Sequence, residues 1–115
     1  MANRRMFSKG VIDTDPFLEL PTTSQLLYFH LGLHADDDGF IASPKKITRV
    51  AGLNDNDMQT LVDNNFIIEF SNGVCVIRHW KLHNSIQKDR YTPTIYQQEF
   101  ATLIISDNGI YEVRE

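Results

Sequence analysis

Between Leu26 and Leu33 the apolar positions form two helical stripes, Leu26, Phe29 and Leu33 on one and Leu27 and Leu31 on the other. This three- and four-residue spacing predicts a helix with a broad apolar surface, set inside the domain and touching several neighbours. Pro21 marks the break before it, and Thr22 and Gln25 have the spacing of a capping box, so the helix is expected to begin near Thr22. A short helical turn is expected upstream, with Asp15 as its cap and Pro16 at its first position.

The pattern breaks at residues 35–39, where three aspartates and a glycine have the chemistry of a solvated turn. Phe40 and Ile41 then read as a short strand. Ser43 and Pro44 provide a cap and a first-turn proline for a second helix, with Ile47, Val50 and Ala51 on its inner face and Gly52 at its end. Asn54 caps a third, in which Met58, Leu61, Val62 and Phe66 recur at helical intervals. Two amphipathic helices joined this tightly predict a helix-turn-helix pair.

The period then changes to two. Residues 66–70 and 74–78 are rich in β-branched and aromatic side chains, and Asn72-Gly73 between them predicts a two-residue type I′ hairpin. That register sets Phe66, Ile68, Phe70, Cys75 and Ile77 on the buried face and Ile67, Glu69, Val76 and Arg78 on the other. Three helices, a strand after the first and a hairpin after the third give an α+β winged helix-turn-helix. Its core is expected to be complete by about residue 80. The expected division is a winged domain with an N-terminal arm over 1–92 and a C-terminal extension over 93–115, a candidate oligomerisation element. Residues 94–114 fit either a helix or a second hairpin turning at Asp107 to Gly109.

Charge sharpens this picture. Eleven Lys and Arg stand against 15 Asp and Glu in 115 residues, a formal net charge of −4, which excludes a uniformly basic nucleic-acid binder. Yet ten of the eleven cations fall into three clusters: Arg4, Arg5 and Lys9; Lys45, Lys46 and Arg49; and Arg78, Lys81, Lys88 and Arg90. The second contains no acid. Such clusters suit phosphate contacts, which give affinity and register without sequence information. The third helix, which would enter the major groove, carries Asp55, Asp57 and Asp63 and no cation, so base contacts would fall to polar residues such as Asn56 and Gln59.

Other chemistry is weakly represented. The chain has no nucleophile-elbow, P-loop or dinucleotide-binding motif, and its single cysteine, Cys75, falls on a buried strand position, so no enzyme activity and no cofactor are expected. His30 with His34, and His79 with His83, have four-residue spacing but lack the glutamate of zinc-protease helices, and no metal site is expected. One cysteine excludes an internal disulfide and favours a reducing compartment. No apolar run reaches the roughly 18 residues of a membrane span. The first 15 residues carry the charges of a signal peptide without its apolar stretch, and so read as mature protein.

Several longer strings carry a resemblance: LYFHLGLHADDDGFI with the following SPKKI, RHWKLHN after the hairpin, and KDRYTPTIYQ in the extension. Over roughly residues 3 to 100 the chain resembles the N-terminal domain of bacteriophage replisome-organiser and replication-initiation proteins, related to the winged-helix domain of the DnaD primosomal proteins. The resemblance implies a cytoplasmic protein of the infected or lysogenic bacterium. It would bind origin DNA, form homo-oligomers and recruit host helicase-loading proteins. Carried over, the DNA-contact candidates are Lys45, Lys46, Arg49, Arg78, Lys81, Lys88 and Arg90, beside Asn56 and Gln59 from the residue reading and Arg4 and Arg5 in the arm. Family members usually continue into a further C-terminal domain, which would make this chain a fragment or a minimal form. The alternative is a primosome interaction or oligomerisation domain that does not itself touch DNA.

Overall fold

The computed structural model describes residues 4–114; the first three residues of the arm and the last of the extension lie outside the described residues. Two single turns of helix, α1 (Lys9–Ile12) and α2 (Asp15–Leu18), lead into α3 (Thr22–His34). Strand β1 (Phe40–Ile41), helices α4 (Pro44–Val50) and α5 (Asp55–Asp63), and strands β2 (Ile67–Glu69) and β3 (Cys75–Ile77) follow. After them come α6 (Trp80–His83), α7 (Gln97–Phe100), β4 (Leu103–Ile105) and β5 (Tyr111–Val113). The first three strands form an antiparallel sheet in the order β1-β3-β2, and the last two form a separate hairpin.

The helix starts follow local chemistry unevenly. Asn54 caps α5 in a full capping box with Asp57, as the sequence predicts. Pro21 occupies the cap position of α3 and no side chain caps it; the Gln25 amide instead turns back to donate to the carbonyls of Leu18 and Leu20. Thr14, not Asp15, precedes α2, and α1, unforeseen, is capped by Ser8. The two expected stripes on α3 pack unequally, with Phe29 the only member of the first that meets the core. Leu27, Tyr28 and Leu31 are fully buried, whereas Leu26 and Leu33 are 45% and 60% exposed on the outward side. On α4 the buried residues are Pro44 and Thr48, and Val50 is 79% exposed.

The hairpin is one residue out of the expected register. Phe70 pairs with Val74 through a 2.9 Å bond from its amide, Ile68 faces Val76 and Ile67 faces Ile77, so the loop is the three residues 71–73. The cause lies in the backbone. A type I′ turn needs positive φ at both central residues, and here Gly73 has it (φ 90°) while Asn72 does not.

All three residues of β3 are buried, so both faces of the sheet are covered. Ile77 points at α3. Val76 and its partner Phe40 face the other way, where Phe40 meets the rings of Phe70, Tyr96 and Phe100. The C-terminal segment therefore covers the face that the hairpin register assigned to solvent. It is not an appendage to a finished core: Leu103 and Tyr111 belong to the same buried cluster as Leu27, Tyr28 and Ile77. Residues 94–114 take both readings in part: the helix is limited to the single turn α7, and the hairpin follows over β4 and β5, with Gly109 at positive φ in its turn.

Candidate nucleic-acid interface

Pro44 and Thr48 anchor α4 inward, the Thr48 hydroxyl donating to the Pro44 carbonyl at 2.7 Å, and this leaves Lys45, Lys46 and Arg49 exposed. Because β1 runs antiparallel to β3, its Ile41 end lies beside the hairpin loop that precedes Cys75. The start of α4 is thereby brought to the loop. A shallow groove of about 330 Å³ results, lined by Ala42, Ser43, Pro44, Lys45, Lys46, Arg49, Asn72 and Gly73. Three cations, a hydroxyl and an open glycine backbone line it, and no carboxylate does. The loop is held from within and from outside: Asn72 accepts from the Val74 amide at 3.2 Å and donates to Glu99 at 3.2 Å.

Helix α5 offers much less. The Asp57 carboxylate is used inside the fold, accepting from the Asn54 amide at 3.1 Å and from the Thr23 hydroxyl at 2.5 Å. Gln59 donates its side-chain amide to Asp63 at 2.7 Å. Asn56 is exposed, and its neighbours on the solvent side include Asp55. A second cleft, between α4 and α5, sets Lys45 against Asp55 and Glu69.

The third basic cluster does not join the second, on α4. Arg78 follows the far end of β3 and is bound to Glu112 at 3.5 Å and to the Asn65 carbonyl at 3.4 Å. Lys81 lies 3.9 Å from Asp38. Lys88 and Arg90 are exposed, and Arg90 directly precedes Tyr91, whose hydroxyl is fixed on Asp38 at the start of β1. The two groups thus sit at opposite ends of the β1–β3 pair. In the arm Arg4 is exposed, but Arg5 is turned inward, donating to the Ala35 carbonyl at 2.9 Å and to Asp37 at 3.1 Å, with its guanidinium 5.5 Å from the Trp80 ring centre.

The aspartate turn is the largest departure from the sequence reading. Asp37 and Asp38 are buried, not solvated. Asp36 accepts from the Asp38 and Phe40 amides, both at 2.9 Å, and so closes the turn on itself. Asp37 takes Arg5 and the Thr92 amide; Asp38 takes the Tyr91 hydroxyl and the Thr94 amide. Trp80 donates to the Asp37 carbonyl at 2.9 Å. Burial, then the hydrogen bond and charge of Asp38, push the Tyr91 phenol up to about 12. These groups hold the fold and are not open to a ligand.

The histidine pairs separate as well. His34 bonds the His30 carbonyl at 2.9 Å on the outer end of α3. His83 is buried: its Nδ1 accepts from the Ser8 amide at 2.8 Å and its Nε2 faces the Tyr28 hydroxyl at 2.6 Å. Since Nδ1 accepts, the ring proton sits on Nε2. Burial, reinforced by His79, lowers His83 to about 4. Cys75 is fully buried, and burial followed by the nearby Glu69 pushes its thiol up, away from the thiolate. Among the described residues no three His, Cys, Asp or Glu stand together as a metal site, and no helix is long and apolar enough to cross a membrane.

No family model, curated protein or solved structure matches the chain.

Proposed function

We propose that this domain is a winged helix-turn-helix module that binds DNA in the initiation of bacteriophage replication, with α3, α4 and α5 as its helices and the β2–β3 hairpin as its wing. The element order and the β1-β3-β2 sheet support the winged-helix reading. The observation that carries DNA binding is the groove between α4 and the wing tip, which Lys45, Lys46 and Arg49 line and no carboxylate does. Cations so arranged neutralise phosphates and release condensed counterions. The replication context rests on the resemblance of those longer strings to replisome organisers, and with it come a bacterial cytoplasmic location, self-assembly and host helicase-loading partners. Titration of a labelled duplex at rising salt tests the reading: measurable binding at about 50 mM salt that falls steeply by about 200 mM supports it. No binding at the lower concentration overturns it.

A second reading, a primosome interaction or oligomerisation domain, is favoured by the outward apolar positions Leu26 and Leu33 on α3 and Val50 on α4. Under it, Leu33→Ser with Val50→Ser would lower the sedimentation coefficient of an assembled form, and the wild-type chain would bind no duplex. A wild-type chain that sediments as a monomer at every concentration removes the self-associating form.

A further inference from the structure

The groove also constrains which nucleic acid it can take. Proteins that hold single strands combine a basic track with aromatic faces on which bases stack. The chain has 7 Phe, 4 Tyr and 1 Trp, all among the described residues, and none is exposed. The half-buried rings are occupied: Phe7 packs edge-on against Phe29, Phe70 and Tyr96 stack on Phe40, Phe100 meets Tyr111, and the Tyr91 hydroxyl is fixed on Asp38. None of these rings lines the α4 groove.

Base-edge reading is closed off by a separate set of contacts. Helix α5 presents Asp55 and Asp63 to solvent without a Lys or Arg, and its Gln59 amide is already given to Asp63. Carboxylates entering a groove walled by phosphates are repelled, while the cations that attract the backbone stand on α4 instead.

Resting on the DNA-binding reading, we infer that the α4 and wing-tip groove takes the sugar–phosphate backbone of duplex DNA, independently of base sequence and in preference to a single strand. Lys45, Lys46 and Arg49 contact phosphates, and the open backbone at Gly73 lets the strand approach the wing tip. With no stacking, a single strand offers only its lower charge density: about one charge per 3.4 Å of a strand against one per 1.7 Å of duplex axis. Three phosphate contacts set the salt dependence at a slope of about −2.7 in log K against log salt.

The test is fluorescence anisotropy of the whole chain against a labelled duplex, a second duplex of the same composition in shuffled order, and one of the single strands, each across a salt series. The two duplexes are expected to bind within about twofold of one another and the single strand about tenfold more weakly, with a duplex slope near −2.7 that falls by about 0.9 in Arg49→Ala. A single strand that binds as tightly as the duplex, or one duplex preferred by tenfold or more, of the order a well-read base pair supplies, overturns the inference and leaves DNA binding standing. Absence of binding to all three overturns the DNA-binding reading itself.

Discussion

The hydroxyl of Tyr111 donates a hydrogen bond of 2.9 Å to the backbone carbonyl of Asp38, in the interior and across 73 residues of chain. It joins the last strand to the turn that begins the first. The Tyr111 side chain is fully buried, and burial raises its phenol well above the ordinary value. Removing only the hydroxyl, Tyr111→Phe, is expected to cost about 1 kcal/mol by leaving the carbonyl unpaired, and Tyr111→Ala about 3–5 kcal/mol by adding a cavity. Urea unfolding measures both; a near-neutral Tyr111→Ala would mean that the C-terminal segment is dispensable after all.

Asp38 carries more of the tertiary structure than any local reading of an Asp-Asp-Asp turn suggests. Its carboxylate serves the Tyr91 hydroxyl and the Thr94 amide and faces Lys81. An asparagine offers one acceptor oxygen in place of two, so Asp38→Asn is expected to destabilise by about 2–3 kcal/mol. The exposed Asp107→Asn stays within about 0.5 kcal/mol. In hydrogen exchange the loss in Asp38→Asn appears first at the amide of Thr94, which donates to that carboxylate. Uniform loss across the chain would contradict this placement.

His83 sets an acid limit on stability. Its value falls from 6.5 to about 4 on folding, so below pH 6.5 the unfolded chain takes up a proton that the folded one refuses. Its contribution is present above about pH 6.5 and is lost as pH falls from there to 4; His79, lowered chiefly by burial and also by Arg78, acts in the same direction. His83→Gln should be less stable at pH 7, yet lose less stability between pH 7 and 5 than wild type, as read from urea midpoints at each pH. Parallel curves for the two proteins would assign the acid sensitivity elsewhere.

What could be read locally, the sequence shows well. The Asn54 cap, the proline at the start of α4, the tight α4–α5 connection and a hairpin around Gly73 depend on residues a few positions apart. The solvated aspartate turn, the DNA-facing Arg5 and the exposed face of Val76 fail for one reason. Each is decided by partners distant in sequence: Arg5 by Asp37, Asp38 by residues 91–94, and the Val76 face by Tyr96 and Phe100 around Phe40. Charge clustering found Lys45, Lys46 and Arg49, because adjacent cations on one helix need no tertiary information. It could not show that Arg78 and Lys81 are bound to Glu112 and Asp38, or that the β2–β3 loop meets α4.

The most direct measurement compares the two basic groups at opposite ends of the sheet. Duplex affinity at about 50 mM salt is determined for Lys45→Ala with Lys46→Ala and Arg49→Ala, and for Lys88→Ala with Arg90→Ala, each with its salt slope. If the α4 groove is the interface, the first set abolishes most of the binding and flattens the slope towards zero, while the second changes affinity by no more than about threefold through long-range charge alone. Loss of binding in the second set with retention in the first would contradict the account.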